Sequence, residues 1–293
     1  MKRTEINLRD PFVLCHEGKY YLYGSDGKTC WGENDSFYCY VSDDLEEFEG
    51  PVRIFEKPEG FFADRYYWAP ECLYHDGAFY LITTFGAADR KKGIYALRSE
   101  RPTGPFLPWS AELTPADWTS IDGTVSFDGG TPWLFFSHSF EDTPNGDMCA
   151  LPLTPDLKGP AGAPATLFSA GEAPWARPVP FAKEEFGMDG NVYFTDGPCV
   201  FRFPDGALGM TWSSWSERGY AVGLAVSPTG SVLGPWQQSP VPVYPQDGGH
   251  GMLFHDRDGR PFFTLHYPNT RFQEHPVFLP AELSGRELRL LPT

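Results

Sequence analysis

The strongest constraint on the fold is a pattern that recurs five times along the 293-residue chain. Each copy has an anchor residue, a few apolar residues, a Gly-containing turn and an aromatic-rich strand that ends in small polar residues. The copies begin at Arg9, Trp68, Ile121, Thr195 and Gly248. An EG, DG or GG step between two apolar runs is typical of a β-hairpin. Self-similarity at a long period indicates a repeat architecture, so each copy should belong to one structural unit.

A second alternating segment follows each copy and completes the unit. FYCYVSDDLEEFEGP follows the first copy, and YAVGLAVSPTGSVLGPW follows the fourth. Each of these segments reads as a strand, a polar turn and a further strand. Two hairpins per unit make a blade of four antiparallel strands, so the chain is predicted to be an all-β, five-bladed β-propeller. No linker divides it, and we expect one domain over residues 1–293.

The composition agrees with an all-β chain and narrows the function. Aromatic residues make up 16% of the sequence, and 31 Gly and 29 Pro supply the turns that many short strands need. The net charge of −16 argues against nucleic acid, whose phosphates attract Lys and Arg, and against an anionic membrane surface. A neutral or cationic substrate is easier to reconcile with this charge, which otherwise serves solubility.

Cysteine usage and the first residues lead to an expectation about location. Six cysteines occur without a C-x-x-C pair or a Cys/His cluster of zinc spacing, so we expect free, buried thiols in a reducing compartment. The start MKRTEINLRDP lacks the apolar segment of a secretory signal, and no run of about 18 apolar residues is present. We therefore expect a cytoplasmic protein that does not span a membrane.

The five anchor positions are candidates for a functional site. The first strand of each propeller blade lines the central channel, so Asp10, Glu71, Asp122, Asp196 and His250 should converge there. Taken singly, each Asp before Gly or Pro is a common turn residue, and His250 could be a satisfied core histidine. Crowding four acids on one axis shifts their pKa values and costs stability, so their joint occurrence favours a functional cluster.

The same positions carry motifs of a known family. The chain resembles glycoside hydrolase family 43, a family of five-bladed propeller glycosidases, over essentially its whole length. The matching motifs are RDP at 9–11, WAPE at 68–71, IDGT at 121–124, DGP at 196–198 and GGHGM at 248–252. The resemblance implies an inverting hydrolase that cleaves arabinofuranosides, xylosides and related linkages of plant cell-wall glycans.

The resemblance also implies roles for three carboxylates. Asp10 matches the general base, which activates a water on the face opposite the leaving group. Asp122 matches the acid that raises the pKa of the proton donor and orients it. Asp196 occupies the place of the general acid. Inversion needs such an acid and base about 6.5–9.5 Å apart, with room for water between them.

Three further residues gain expected roles from the same motifs. His250 matches an axial histidine that holds a water or a cation such as Ca²⁺ in the channel. Trp68 lies where aromatic rings stack on the sugar bound next to the scissile bond. Glu71 would order the base. No cofactor is required by the resemblance, apart from this optional cation.

One departure from the family pattern concerns the proton donor. The family acid is usually a Glu in an EGP-type motif, whereas this chain has TDGP with Asp196. Because aspartate is one methylene shorter, either the backbone approaches the substrate more closely or another acid donates the proton. Glu172, in the segment AGEAPWARP beside Trp175, is the alternative.

Other side chains are weaker candidates for sugar contacts. Aromatic rings bind sugar faces, but most Trp residues of a propeller pack in its core. The aromatic candidates are Trp31, Phe37, Trp133, Trp175 and Trp215. Three polar candidates follow strands of their blades, namely His138, His266 and Arg271, of which Arg271 would contact a carboxylate or a sugar hydroxyl.

The leading functional hypothesis is an exo-acting α-L-arabinofuranosidase whose partner is an oligosaccharide or glycoside. A β-galactofuranosidase and a β-xylosidase are the alternatives within the same fold. The alternative from another class is a non-catalytic glycan-binding propeller, which the change from Glu to Asp196 supports. The sequence predicts no oligomeric state.

Overall fold

The computed structural model describes residues 1–292, which fold into twenty strands arranged as five sheets of four antiparallel strands. Within each sheet the strands pair in sequence order, so every blade is one continuous stretch of chain. The predicted all-β, five-bladed propeller is thus confirmed. Blade one contains β1 (Leu8–His16), β2 (Lys19–Asp26), β3 (Ser36–Ser42) and β4 (Glu49–Glu56). Blade two contains β5 (Arg65–His75), β6 (Ala78–Ala87), β7 (Arg90–Ser99) and β8 (Leu107–Pro108).

The remaining blades repeat this order. Blade three contains β9 (Ser120–Asp128), β10 (Thr131–His138), β11 (Asp147–Pro152) and β12 (Ala165–Ser169). Blade four contains β13 (Asp196–Arg202), β14 (Leu208–Ser216), β15 (Gly219–Ser227) and β16 (Gln237–Gln238). Blade five contains β17 (Gly249–His255), β18 (Pro261–Tyr267), β19 (His275–Ser284) and β20 (Glu287–Leu290). The two shortest outer strands, β8 and β16, leave little unpaired edge for association with another chain.

The hydrophobic core lies between neighbouring blades. Phe37, Tyr67 and Phe85 pack together between blades one and two. Trp175 and Trp212 pack between blades three and four, with ring centroids 4.9 Å apart. Aromatic side chains fill these wedge-shaped spaces because each buries a large apolar area.

A β-bulge interrupts the innermost strand of every blade at the same position. The register with the second strand shifts there in all five sheets. At each bulge one residue has a left-handed backbone, with φ between 44° and 58°. These bulge residues are Asp10, Ala69, Asp122, Gly197 and His250. A left-handed backbone is uncommon for residues other than Gly, so five equivalent cases indicate a feature that the ring of blades enforces.

Hydrogen bonds between blades hold four of the five bulges. In each case the backbone N–H of the bulge residue donates to a side chain on the second strand of the preceding blade. The pairs are Asp10 to His266 Nδ1 (3.2 Å), Ala69 to Ser25 Oγ (2.8 Å), Asp122 to Thr84 Oγ1 (3.0 Å) and His250 to Ser213 Oγ (2.8 Å). In blade four the N–H of Gly197 donates instead to Asp122 Oδ2, at 3.3 Å. Blade four therefore departs from the hydrogen-bond pattern of the other four blades, and it does so through the carboxylate of Asp122.

A long connection between blades three and four adds an insertion above the channel. It contains a 3₁₀ turn, Ala170–Glu172, and the short helix α1, Ala182–Phe186. A second 3₁₀ turn, Arg3–Glu5, precedes blade one. None of the helices within residues 1–292 is long and apolar enough to cross a membrane. All six cysteines are free, as the sequence predicted.

Candidate active site

The bulges direct a set of ionisable side chains into a small cavity on the propeller axis. This inner cavity has a volume of about 80 Å³. It is lined by Arg9, Asp10, Cys30, Trp31, Trp68, Ile121, Asp122, Asp196 and His250. The first strands of the blades therefore bring four of the five predicted anchors together, as the channel geometry requires.

The anchors do not all occupy equivalent positions, which corrects the sequence alignment of the repeats. The residues equivalent to Asp10 in blades two and four are Ala69 and Gly197, so Glu71 lies beyond the bulge and Asp196 before it. A Cβ atom at Gly197 would lie 2.8 Å from Cα and Cγ of His250. Because no side chain fits there, the carboxylate of blade four comes from the preceding residue.

Asp10 sits among positive and hydrogen-bonding groups. Its Oδ1 lies 3.3 Å from His250 Nδ1, and its Oδ2 accepts a 2.5 Å hydrogen bond from the Ser25 hydroxyl. Burial alone would raise the pKa of Asp10. His250 and Arg9, together with the Ser25 hydrogen bond, outweigh burial and hold the pKa of Asp10 below its usual range. Asp10 is therefore a carboxylate at neutral pH.

The protonation of His266 follows from its hydrogen bonds. Its Nδ1 accepts the backbone N–H of Asp10, and its Nε2 lies 3.2 Å from the side-chain oxygen of Asn269. Nε2 must then carry the proton and donate to Asn269. Complete burial lowers the pKa of His266 well below its usual range, which agrees with this neutral form. His266 thus fixes the backbone of Asp10 without carrying a charge.

Asp122 lies between the other acids. Its Oδ2 accepts the N–H of Gly197 and is 3.6 Å from His250 Nδ1. Burial raises the pKa of Asp122 to about 7, with smaller contributions from the nearby charges of Asp196 and Asp10. The group therefore changes its charge within the neutral range, where it can influence its neighbours.

Asp196 has the opposite surroundings from Asp10. Its Oδ1 accepts a 2.5 Å hydrogen bond from the hydroxyl of Tyr220, on β15. Burial and, to a smaller extent, the charge of Asp10 raise the pKa of Asp196 to about 8, although the bond from Tyr220 and the charge of Arg9 oppose them. Asp196 is therefore a protonated carboxylic acid at neutral pH, which is the form that a proton donor needs.

Glu71 is buried close to Asp122 and lines neither cavity. Burial raises the pKa of Glu71 to about 8; a hydrogen bond with Thr124 lowers it, and the charge of Asp122 raises it. Glu71 is thus a neighbour of Asp122, whereas the sequence placed it beside Asp10. The reason is the bulge, since Glu71 follows the distorted step of β5 and Asp10 lies within that of β1.

A second, larger cavity continues outward from the first. This outer cavity has a volume of about 450 Å³ and shares Arg9, Trp31, Trp68, Ile121 and Asp196 with the inner one. The insertion between blades three and four supplies part of its wall, including Phe181 and Phe186. The site is therefore a funnel with acids at its base and aromatic and charged side chains along its sides.

The comparisons with known proteins agree with this geometry. Residues 4–292 match the family described as Glycosyl hydrolases family 43. The chain belongs to this family. The crystal structure of an endo-arabinase from Bacteroides thetaiotaomicron VPI-5482 is 36% identical, covers 97% of both chains and superposes with a TM-score of 0.88. A thermostable family-43 glycoside hydrolase is similar in fold, with 21% identity, coverage of 98% and 93%, and a TM-score of 0.81.

A curated relative is similar over part of its length. Xylosidase/arabinosidase 43A from Humicola insolens is 30% identical over 151 residues, which are 44% of this chain and 45% of the relative. The alignment thus spans less than half of that protein. The family membership establishes the chain as a family 43 glycoside hydrolase, while the names of its relatives differ in substrate.

Several predicted sugar contacts of this glycoside hydrolase line the funnel. Trp31 and Trp68 border both cavities, and their ring centroids are 5.8 Å apart. The indole N–H of Trp68 donates to the backbone oxygen of Cys30 at 2.6 Å, which fixes the ring. Trp215 and Arg271 border the outer cavity. These four remain candidates for substrate contact.

Other predicted residues lie elsewhere in the glycoside hydrolase. Phe37 is only 2% exposed and Trp175 only 5%, because both fill the spaces between blades, so neither reaches the funnel. Trp133 packs against the same core as Trp175. His138 stacks on Trp118, and its Nε2 lies 3.2 Å from Asp142 Oδ2, outside both cavities.

Glu172, the alternative proton donor, also lies outside the funnel. It is exposed in the 3₁₀ turn that follows β12, the outermost strand of blade three, and it borders neither cavity. The distance between the outer strand and the axis explains this placement, because a loop that follows the fourth strand begins at the rim of the blade. Asp196 therefore stays as the acid that the geometry supports.

Sequence reasoning missed Tyr220 and Ser25. Ser25 could have been found, because the second strand of each repeat ends in small polar residues that turn out to hold the bulges. Tyr220 belongs to the third strand of blade four, and no repeated motif marks it. Its contact with Asp196 depends on how β15 approaches the channel, which the sequence pattern does not specify.

The three groups Asp122, Asp196 and His250 could in principle share a cation. Their ligand atoms lie within 4.8 Å of one another. Ca²⁺ takes six to eight oxygen ligands, whereas this set offers two carboxyl groups and one nitrogen. The set does not fit a directly bound Ca²⁺, and a cation held through water at His250 stays a prediction.

Proposed function

We propose that this family 43 glycoside hydrolase is an exo-acting α-L-arabinofuranosidase that inverts the anomeric centre. The observation that carries the proposal is the pair Asp10 and Asp196 in one cavity, with the pKa of Asp10 lowered and that of Asp196 raised to about 8. At neutral pH one group can accept a proton while the other can donate one. Inverting hydrolysis requires this combination.

The catalytic step follows from these states. Asp196 gives its proton to the glycosidic oxygen as the bond to the anomeric carbon breaks. Asp10 takes a proton from a water, whose oxygen forms the new bond on the opposite face of the sugar. The products are the free sugar and a protonated leaving group, and the enzyme ends with Asp10 protonated and Asp196 ionised. Exchange with solvent restores the starting state.

Asp122 and His250 adjust this step. Asp122 forms no bond with the substrate in this mechanism. Its pKa is about 7, so it is mostly ionised at higher pH, and its negative charge then disfavours ionisation of the neighbouring Asp196. His250 lies 3.3 Å from Asp10 and 3.6 Å from Asp122 and favours the charged form of both. Trp68 supplies a ring face for the sugar in the inner cavity.

The choice of arabinose is supported by the relatives and by the shape of the funnel. The structure at 36% identity is that of an endo-arabinase, and the curated relative is a xylosidase/arabinosidase. An inner cavity of about 80 Å³ that continues into an outer one of about 450 Å³ suits a single terminal sugar at the base, with the remaining chain leaving outward. A β-xylosidase and a β-galactofuranosidase are the alternatives tested beside it.

The test is a panel of nitrophenyl glycosides with L-arabinofuranosyl, D-xylosyl and D-galactofuranosyl groups, together with linear arabino-oligosaccharides. We expect the highest kcat/KM on the α-L-arabinofuranoside, release of single arabinose units, and a first-formed product of inverted configuration by ¹H NMR. The matched control is Asp10→Asn, which keeps the shape of the side chain. Sugar binding with turnover no faster than that control would favour a non-catalytic glycan-binding propeller. Activity that survives dialysis against a chelator would exclude an essential cation.

A further inference from the structure

The outer cavity carries a guanidinium that has no carboxylate partner among residues 1–292. The chain has 39 acidic against 23 basic residues, so acidic partners for basic side chains are plentiful. The other two cations that line the cavity do so: Arg9 Nη1 is 2.8 Å from Glu274 Oε1, and Lys92 Nζ is 2.7 Å from Glu141 Oε2. Arg271 makes no ion pair within the described residues. Its five N–H donors remain available.

Two exposed aromatic rings hold this guanidinium. The Cζ atom of Arg271 lies 5.5 Å from the centroid of the Trp31 ring and 5.1 Å from that of Phe272. Trp31 is 45% exposed and Phe272 is 57% exposed. Cation–π contacts of this length limit the motion of the guanidinium without using its hydrogen-bond donors. Phe272 also has a φ of 69°, a rare backbone for a bulky residue, and the exposed ring gains no burial in return.

This group lies next to the inner cavity rather than at a remote surface. Trp31 borders the inner cavity together with Asp10 and Asp196, and it also borders the outer cavity together with Arg271. A sugar that leaves the inner cavity therefore meets Trp31 and Arg271 next. Aromatic faces bind sugar rings, and a guanidinium binds a carboxylate through two parallel hydrogen bonds.

We propose that Trp31 and Arg271 form a subsite for an acidic sugar, a uronic acid, on the leaving-group side of the cleaved linkage. Arg271, which also contacts the Phe272 ring, binds the carboxylate of that sugar, and the Trp31 ring contacts its apolar face. The proposal rests on the proposed function, since it concerns the substrate of the same site.

The negative net charge of the chain does not oppose this proposal at short range. Charges separated by more than about 8 Å are largely screened at physiological ionic strength. Three acids line the outer cavity: Glu141 is paired with Lys92, Asp196 is protonated at neutral pH, and Glu185 makes no ion pair within the described residues. The general charge therefore lowers the rate of encounter with an anionic glycan, while Arg271 governs binding once the sugar is in the cavity.

The test compares a matched pair of substrates: an α-L-arabinofuranosyl uronic acid disaccharide and its methyl ester, which has the same linkage without the charge. We expect the wild-type enzyme to favour the acid about tenfold in kcat/KM, mainly through a lower KM, because two parallel hydrogen bonds between charged groups are stronger than neutral ones. In Arg271→Gln this ratio should fall to about one, whatever the absolute activity. The control is Arg218→Gln, an exposed arginine that lines neither cavity and should keep the wild-type ratio.

The outcomes separate this proposal from the proposed function. Equal kcat/KM on acid and ester in the wild type, or an undiminished preference in Arg271→Gln, would overturn the acidic subsite alone. An enzyme that is inactive on nitrophenyl α-L-arabinofuranoside would overturn the proposed function and the subsite with it. Trp31→Ala gives a second readout, because it should weaken binding of acid and ester together.

Discussion

Two aspartates, one from blade one and one from blade four, face the same inner cavity, and their surroundings differ in kind. Around Asp10, blades one and five supply Arg9, His250, His266 and the Ser25 hydroxyl. Around Asp196, blade four supplies the Tyr220 hydroxyl. The side chains are chemically identical, so the difference in pKa comes from their neighbours alone.

The comparison shows how one fold obtains an acid and a base from one residue type. Positive charge and a hydrogen bond overcome the burial of Asp10. At Asp196 the hydrogen bond from Tyr220 and the charge of Arg9 are outweighed by burial and by the negative charge of Asp10. The environment thereby assigns the roles before substrate arrives. Changes to either set of neighbours should reveal how far the assignment depends on them.

The largest effect is expected for the base. Asp10→Asn removes the group that accepts a proton from water, and we expect kcat/KM on the arabinofuranoside to fall by about 10³- to 10⁴-fold. The fold should persist, because the bulge depends on the backbone N–H of residue 10 and its bond to His266. Circular dichroism checks the fold, and near-normal turnover in a folded variant would remove Asp10 from this role.

The second-largest effect is expected at Asp196 and tests whether this residue is the proton donor. Asp196→Ala should lose about 10²- to 10³-fold on a natural linkage, but far less on a nitrophenyl glycoside, because a good leaving group needs little protonation. The matched control is Glu172→Gln, which should behave as wild type on both substrates. Equal losses in Asp196→Ala on good and poor leaving groups would instead show that another residue donates the proton.

A smaller effect is expected at the partner of the acid. The hydrogen bond from Tyr220 lowers the pKa of Asp196, so Tyr220→Phe should raise that pKa above about 8. The alkaline limb of the kcat/KM profile then moves to higher pH, while kcat falls about tenfold because the carboxyl is less well positioned. Tyr74→Phe, at an exposed ring away from the funnel, serves as the control. An unmoved alkaline limb would contradict the role of Tyr220.

The smallest effect concerns stability. Glu71 has a folded pKa of about 8 against an ordinary value of 4.5, so the folded state holds its proton while the unfolded state releases it. The contribution of Glu71 to stability is therefore complete below pH 4.5 and is lost as pH rises to about 8. Glu71→Gln removes this loss and should raise the free energy of unfolding at pH 8, relative to pH 5, by on the order of 2 kcal/mol.

Denaturant unfolding at the two pH values measures this difference, with the exposed Glu100→Gln as the control. The same pH dependence in Glu71→Gln and in the wild type would show that Glu71 is ionised in the folded protein.

The sequence predicted the fold well because hairpin signals are local. The Gly turns and apolar runs of each repeat lie within one blade, and the family motifs mark the strands that reach the axis. Sequence placed Asp10, Asp122, Asp196 and His250 together, and the structure agrees. The predicted position of Glu71 beside Asp10 was wrong. A bulge shifts the register of β5, and no residue type marks the position of the bulge in the sequence.

The surroundings of the site depend on contacts between blades, and these are distant in sequence. His266 reaches Asp10 from the other end of the chain, and Tyr220 reaches Asp196 from the third strand of its blade. Phe37 and Trp175 looked like sugar-binding aromatics because burial between blades leaves no separate mark in the sequence. The residues of the site can therefore be predicted from the sequence, whereas their protonation states depend on contacts between blades in the folded protein.

The protonation of the two aspartates can be measured directly by ¹³C NMR of the protein labelled at the aspartate carboxyl carbon, with Asp10→Asn and Asp196→Asn used to assign the two signals. The account predicts that the Asp196 carbon titrates near pH 8 and that the Asp10 carbon titrates below the ordinary value of 3.8. Titration of both carbons at a common pH below 5 would contradict the division into an acid and a base.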